Sequence, residues 1–418
     1  MSQAALTLEE FRAQVRAWLE ERAELKPPPE ELSWGKGSDT VSVFHNATQD
    51  EMRAIVDEGR AWMQLRATAG YHAISWEQRY GGLGLPLVYD RVYREEESRY
   101  RTPSIHEAIG ITTQLIAPTI LAHGTAEQRD RYLATMLGTE EMWCQLYSEP
   151  GSGSDLAGLA TRAERDGDQW VLNGQKVWTS GAQFADFGYI LCRTDPDVPK
   201  HRGITAFLLD MRSPGVTVRP LRQMSGGASF NEVFLDDARV PDRLRLDAVG
   251  AGWRVAMTTL GFERSAGSGE TGGKVPGKVT RLMELARHIG RDQEPAVRQE
   301  LARLWTHYRL HGLNIQRVRA KLRAGQTPGP EGSIGKLFND IGAERITEVA
   351  SLLLGPKLVA DTGEWGTYAW SEHVCGAPGG RVAGGTAEIQ RNIIAERGLG
   401  LPGEPRVDRD VPWSAVPR

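Results

Sequence analysis

The sequence predicts a mostly α-helical α+β fold in which a β-rich block separates two helical blocks. In the first and last thirds of the chain, apolar residues recur at helical spacing, whereas between about residues 143 and 240 they form short strand-like runs. At 418 residues the chain is long enough for two to three domains. The predicted order is therefore helical, β-rich and helical.

The composition excludes several classes of protein. Lys and Arg total 50 against 54 Asp and Glu, a balance that argues against a nucleic-acid partner. No run approaches the roughly 20 apolar residues of a membrane span, and Glu9 and Glu10 precede any apolar block, unlike a signal peptide. The three cysteines form no CxxC pair. We therefore expect a cytoplasmic protein with no nucleic-acid or membrane partner and no metal.

The first block, residues 1–142, is predicted to be an N-terminal α-helical domain. Thr7 and Glu10 form a capping-box pattern, and Phe11, Val15 and Leu19 follow on one helix face. Prolines at 27–29 end this helix, and another is predicted to start near residue 50.

The second block, residues 143–245, is predicted to be a β-domain. Asn173-Gly174 lies between apolar runs at 169–172 and 175–178, which predicts a hairpin turn at this dipeptide. Further strands are predicted around residues 189–192, 205–209, 216–218 and 232–235. The polar loop at 151–155 fits either an anion-binding nest or an ordinary turn.

The third block, residues 246–400, is predicted to be helical again, followed by an extended tail at 401–418. His307 and His311 share a helix face, but we interpret them as packed or solvent-facing because a zinc site needs further ligands. The glycine-rich stretch at 267–278 resembles both a P-loop and a GxGxxG motif. It lacks the Ser or Thr after the lysine and a preceding strand, so we interpret it as a flexible loop.

Several segments, taken together and in order, resemble the acyl-CoA dehydrogenase family of flavoproteins. The most specific are Tyr-Ser-Glu-Pro-Gly-Ser-Gly-Ser-Asp at 147–155 and Asn-Gly-Gln-Lys-Val-Trp-Thr-Ser at 173–180. The others lie at 76–84, 116–118, 123–129, 230–241 and 384–391. The matches extend over nearly the whole chain.

This resemblance implies a three-domain fold with an N-terminal helical domain, a central β-barrel and a C-terminal four-helix-type domain. It also implies non-covalently bound FAD, a tetramer or dimer, and an acyl-CoA substrate in lipid β-oxidation. In the implied reaction a carboxylate removes the proton from Cα, the hydride from Cβ passes to the flavin, and a trans-2-enoyl-CoA forms. The electrons then pass to an electron-transfer flavoprotein or a similar acceptor.

The resemblance also assigns residues to the site. The implied flavin contacts are Tyr147, Ser148, Gly153, Ser154, Trp178, Thr179, Ser180, Thr386 and Glu388. The implied substrate contacts are Ser154 and Arg264.

The catalytic base departs from the commonest family pattern. Many relatives carry Glu directly before the Gly-Thr of the C-terminal motif, where this chain has Gly384. A subset that includes isovaleryl-CoA dehydrogenases carries the base before an arginine in the third domain, as in Glu263-Arg264 here. We therefore expect Glu263 to be the base. The alternatives are that Glu263 is a structural ion-pair partner, that the chain is a non-catalytic, FAD-sharing subunit of a mixed tetramer, or that it is an oxidase or monooxygenase.

A second departure lies after the first helix of the third domain. Relatives often carry Arg-x-x-Phe-Gly there, which contacts FAD across a subunit interface, and residues 278–290 lack it. This region resembles that of actinobacterial members acting on bulky or branched acyl groups, including steroid side chains.

Overall fold

The computed structural model describes residues 6–27, 34–44, 46–266, 277–324, 326, 329–406 and 408–416, without the side chains of residues 264–266, 322 and 323. Within these residues, helices precede and follow one eight-stranded sheet. This arrangement confirms the mostly helical α+β fold.

The helices before the sheet begin with the predicted cap. The side chain of Thr7 accepts a hydrogen bond from the Glu10 backbone, and the Glu10 carboxylate accepts one from the Thr7 N–H, at 3.2 and 2.9 Å. Phe11, Val15 and Leu19 are buried on one face of this helix, as their spacing predicts. These helices are α1 (Leu8–Glu20), α2 (Gln49–Ala67), α3 (Leu87–Glu97), α4 (Glu107–Gly110), α5 (Ala117–His123) and α6 (Ala126–Leu137).

The sheet joins strands that are distant along the chain. Its hydrogen-bonded order is β6-β7-β3-β2-β4-β5-β8, and β1 lies parallel to β4. The strands are β1 (Trp143–Leu146), β2 (Arg162–Asp166), β3 (Gln169–Ser180), β4 (Phe187–Arg193), β5 (Ile204–Asp210), β6 (Val216–Leu221), β7 (Phe230–Pro241) and β8 (Arg245–Leu246).

The hairpin predicted at Asn173-Gly174 is wrong. Both residues lie inside β3, where the register against β7 shifts. Asn173 bonds across this shift in both directions, donating to the Asp237 carboxylate and accepting from the Asp237 N–H, at 2.9 and 3.0 Å. The turn between β2 and β3 lies instead at Gly167, which has a φ of 64°. The irregular backbone that Asn-Gly favours forms a bulge here rather than a turn.

The helices after the sheet form a second core. Buried Leu282, Leu304, Ile346 and Trp370 come from four of them and belong to one apolar cluster. These helices are α7 (Gly252–Ala266), α8 (Gly277–His288), α9 (Pro295–Arg323), α10 (Glu331–Leu354), α11 (Trp370–Gly380) and α12 (Ala387–Ile393).

The C-terminal tail packs back onto the sheet, which its sequence did not predict. Trp413 donates from Nε1 to the Gly158 carbonyl at 3.2 Å, and the Arg193 guanidinium lies 4.7 Å from its ring centre. Lys200 pairs with Asp408 at 2.6 Å. This end of the chain therefore covers the turn that follows the loop at 147–155.

The histidines of α9 are buried, so of the two environments expected for them, packed or solvent-facing, the structure shows the packed one. Both rings stack on Phe338, and Nε2 of His307 lies 2.7 Å from its carbonyl. In the described part of the chain no cluster of His, Cys, Asp and Glu has a metal-binding arrangement, and no helix is long and apolar enough to cross a membrane. Most of the glycine-rich stretch, residues 267–276, lies outside the described residues.

Candidate functional site

The loop after β1 is held against β3 by backbone and side-chain hydrogen bonds. Val177 donates its N–H to the Ser148 carbonyl at 2.8 Å, and Lys176 donates from Nζ to the Tyr147 carbonyl at 3.1 Å. Two of the segments that carry the family resemblance, 147–155 and 173–180, therefore lie side by side.

A buried ion pair fixes this contact. The Glu149 carboxylate lies 2.8 Å from Nζ of Lys176, and the lysine side chain is fully buried. Glu149 also accepts the N–H groups of Ala160 and Thr161, at 2.6 and 2.9 Å. Burial raises the pKa of Glu149, but the Lys176 ammonium and these hydrogen bonds outweigh it and hold the pKa below its usual value. Glu149 is therefore an ionised structural anchor.

Trp178 faces outward in a strained backbone conformation. Its φ is 60°, in the left-handed region that non-glycine residues seldom adopt, and 60% of its surface is exposed. The cause is a bulge, since the register of β3 against β7 shifts between Lys176 and Thr179. Phe230 packs edge-on against the indole with ring centres 6.0 Å apart. Because strained backbone positions cluster at ligand-binding sites, this exposed ring is a candidate ligand contact.

The other residues predicted to contact the flavin near Trp178 differ in how deeply they are buried. Thr179 is buried, and its hydroxyl has no hydrogen-bond partner within the described residues. Ser180 is half-buried at the end of β3. Paired backbone hydrogen bonds between Glu149 and Ser152 close a turn in the loop at 147–155. Gly153 and Ser154 follow that turn and are exposed.

The two alternative base positions meet in space. A Cβ atom built on Gly384 would stand 3.2 Å from Oε1 of Glu263. Gly384 has a φ of 63° and precedes Thr386, the N-cap of α12. The half-buried Glu263 carboxylate therefore reaches the same point as a side chain at position 384 would.

Beside Glu263 lies a buried cluster of hydroxyl groups. The Tyr147 hydroxyl donates to that of Tyr189 at 3.0 Å, and Thr259 lies 3.0 Å from Thr119 between their Oγ1 atoms. Burial raises the pKa of Tyr147 well above its usual value. Tyr189 and the negative charge of Glu263 raise this pKa as well, whereas the hydrogen bond with Thr259 lowers it. Thr259 is one helical turn before Glu263, so the cluster ties the part of α7 that carries Glu263 to the sheet and to α5.

Thr386 and Glu388 stay in local contacts within the described part of the chain. Thr386 accepts the Ile389 N–H at 3.3 Å, and Glu388 pairs with Arg391 and Arg381 at 3.2 and 3.6 Å. The hydrogen bonds and ion pairs described for these two residues therefore stay within α10 to α12 and the turn before α12. The side chain of Arg264 lies outside the described residues.

Sequence reasoning missed three features of this region. The Glu149–Lys176 pair had a signal, because a lysine within an apolar strand needs a buried partner. The hydroxyl cluster and Lys336, which lies near Gly384, had none, since each joins residues far apart in the chain.

Three models of one protein family together match most of the chain. The acyl-CoA dehydrogenase N-terminal, middle and C-terminal domains match residues 38–140, 144–238 and 250–399.

Relatives extend this match. The chain is 39% identical over 402 residues to acyl-CoA dehydrogenase IpdE1 of Mycobacterium tuberculosis, covering 95% of this chain and 98% of that protein. Among solved structures, the Tcur3481-Tcur3483 steroid ACAD is 26% identical with a TM-score of 0.72, covering 97% of this chain and 99% of that one. The ChsE4-ChsE5 complex of M. tuberculosis is 25% identical with a TM-score of 0.68, over 97% of this chain and 100% of that one.

Proposed function

The chain belongs to the acyl-CoA dehydrogenase family of oxidoreductases, and from that premise we propose that it oxidises the Cα–Cβ bond of an acyl-CoA thioester with Glu263 as the general base. The observation that carries this proposal is the convergence of Glu263 on Gly384. Glycine has no group that takes up a proton, whereas a carboxylate at the same point does. The product would be a trans-2-enoyl-CoA.

The residues present fit the FAD that the family implies. The exposed indole of Trp178 offers a flat surface, and the buried Thr179 hydroxyl offers an unused hydrogen-bonding group. When bound, FAD supplies the hydride acceptor that no side chain provides. We propose that the following residues hold it: Tyr147, Ser148, Gly153, Ser154, Trp178, Thr179, Ser180, Thr386 and Glu388.

The chain's own residues perform the proton transfer. Glu263 would accept the α-proton of the thioester on a carboxylate oxygen, so it must be ionised when the substrate binds. The hydroxyl cluster at Tyr147, Tyr189 and Thr259 orients the helix that carries it. Ser154 and Arg264 would contact the substrate.

We propose a bulky, polycyclic acyl group as the substrate class. Two considerations support this choice: the similarity to a solved steroid ACAD and the missing Arg-x-x-Phe-Gly segment at 278–290. An electron-transfer flavoprotein or a similar acceptor would take the electrons.

We further propose domains at 1–142, 143–245 and 246–400 with a tail at 401–418, a cytoplasmic location, and a homo-oligomer.

A second candidate is an FAD-sharing partner subunit of a mixed oligomer. It is favoured by Gly384 at the commoner base position and by similarity to chains of the ChsE4-ChsE5 complex. The flavin content of the separately purified chain distinguishes the candidates. About one FAD per chain supports the dehydrogenase, and little FAD supports the partner subunit.

Anaerobic mixing with acyl-CoA thioesters tests the main proposal. The panel contains short, branched, long and steroid-type thioesters, and the signal is the absorbance band of oxidised flavin. We expect steroid-type thioesters to bleach this band fastest. A preparation that holds FAD and is bleached by no thioester would contradict the proposal.

A further inference from the structure

Lys336 on α10 lies beside the proposed base, and neither the sequence motifs nor the proposed mechanism use it. Its Cε atom is 3.9 Å from the point where a Cβ on Gly384 would stand, and Oε1 of Glu263 is 3.2 Å from that point. The two side chains therefore approach Gly384 together, although they come from different helices.

The ammonium group of Lys336 is held by two partners. Nζ lies 2.6 Å from Oδ2 of Asp340 and donates to the Gly380 carbonyl, also at 2.6 Å. The Asp340 side chain is 5% exposed and that of Lys336 is 24% exposed. The pair is thus largely shielded from water. In such an environment charges act over longer distances than they do at the exposed surface.

These contacts link the lysine to the loop that faces Glu263. Gly380 ends α11, and only a short turn separates it from Gly384 and the start of α12. Gln390 closes that turn by donating to the Gly384 carbonyl at 3.1 Å. A change at Lys336 therefore acts on both the position of the loop and the charge near Glu263.

We propose that Lys336 is a positioning residue for the reaction: it anchors the end of α11 opposite Glu263 and provides a positive charge that favours the ionised carboxylate. This inference rests on the proposed function. It assigns Asp340 the opposite electrostatic effect, because that carboxylate neutralises part of the lysine charge.

Other charged and titratable groups also surround Glu263. Tyr147 approaches from the loop after β1, and its raised pKa keeps it neutral. Asp340 lies behind Lys336, and its pKa is raised by burial, against the opposing effect of Lys336. Arg381 pairs with Glu344 at 2.8 Å beyond Asp340 and lies on the turn itself. Arg264 follows Glu263 on α7.

The test measures single-turnover flavin reduction against pH in FAD-loaded enzyme, with a thioester that bleaches the wild type. Glu263 must be ionised, so the rate falls as pH falls through its pKa. Lys336→Met removes the positive charge, so this acid limb should move to higher pH by roughly half to one unit. Asp340→Asn leaves the lysine charge unneutralised and should move the limb to lower pH. Lys336→Arg should stay near the wild type.

A matched control is Lys321→Met. Lys321 also pairs with a buried carboxylate, that of Glu331, but it lies on α9. The acid limb of the pH profile of Lys321→Met should not move.

The opposite shifts separate positioning from a purely structural role, which would lower the rates at all pH values without moving the limb. An unmoved limb in Lys336→Met, or shifts of the same sign in Lys336→Met and Asp340→Asn, would overturn the inference. If Lys336→Met does not retain FAD, Asp340→Asn alone decides by the presence or absence of its downward shift. A wild type that no thioester bleaches would instead overturn the proposed function.

Discussion

Glu149 and Glu263 are both shielded glutamates beside Tyr147, but their surroundings differ. Glu149 is paired with Lys176 and accepts two backbone N–H groups. Glu263 is half-buried and lies next to Gly384, which has no side chain. Glu149 is fixed as a hydrogen-bond acceptor with a low affinity for a proton. Glu263 instead faces position 384, where many relatives carry a glutamate.

Residue type and burial do not by themselves identify a catalytic base. A carboxylate whose oxygens are committed to a buried lysine and backbone donors is a structural group. Glu263 is distinguished instead by its place, half-buried on α7 where Lys336 and Gly384 also approach.

Replacing Glu263 with Gln should abolish most flavin reduction. We expect the rate with acyl-CoA to fall by about 10³-fold, within the usual range for loss of a general base. The FAD content should remain, because Glu263 is not among the residues proposed to hold FAD. Stopped-flow measurement of flavin bleaching checks this, and the control is Glu284→Gln, at another half-buried glutamate, which pairs with Arg287 on α8. Near-normal reduction in Glu263→Gln would rule out this base.

Replacing Glu149 with Gln should destabilise the protein rather than remove the base. The change leaves the Lys176 ammonium buried without its partner, so the free energy of unfolding should fall by about 3 kcal/mol. Urea unfolding of the FAD-loaded protein measures the loss. Asp166→Asn breaks an exposed pair with Arg239 and should change stability by less than about 1 kcal/mol. Equal losses in the two variants would contradict an anchoring role for Glu149.

Moving the carboxylate from position 263 to position 384 should restore part of the activity that is lost in Glu263→Gly. In the double variant Glu263→Gly with Gly384→Glu, the new side chain starts 3.2 Å from the former position of Oε1. The left-handed φ of 63° at this position costs about 1 kcal/mol for a non-glycine residue, so recovery should be incomplete. We expect reduction at least about 10-fold faster than in Glu263→Gly alone. A double variant no faster than that single variant would show that the two positions are not interchangeable.

Removing the tail contact should have the smallest effect, confined to the Glu149 side of the site. Trp413→Ala loses the hydrogen bond to Gly158 and the contact with Arg193, so stability should fall by about 1 kcal/mol. The pH profile of flavin reduction should stay unchanged, because this contact is on the sheet side. The control is Leu401→Ala, at an exposed residue before the docked tail. A shifted pH profile in Trp413→Ala would contradict the separation of the two sides.

The order of helices and strands was predictable because its signals are local. The capping box at Thr7 and the spacing of Phe11, Val15 and Leu19 each involve neighbours within one or two helical turns. The hairpin at Asn173-Gly174 was predicted wrongly because that dipeptide tolerates an irregular backbone in a bulge as well as in a turn.

The fold class, the family resemblance and the candidate base could all be predicted from the amino-acid sequence, since they depend on short motifs in a set order. The packed chain was needed to show that Glu263, Lys336 and Gly384 approach one another and that the tail covers the turn at Gly158. The physical reason is that each of these contacts joins elements far apart along the chain. Their approach depends on the packing of whole helices against the sheet and against one another, which local propensity does not encode.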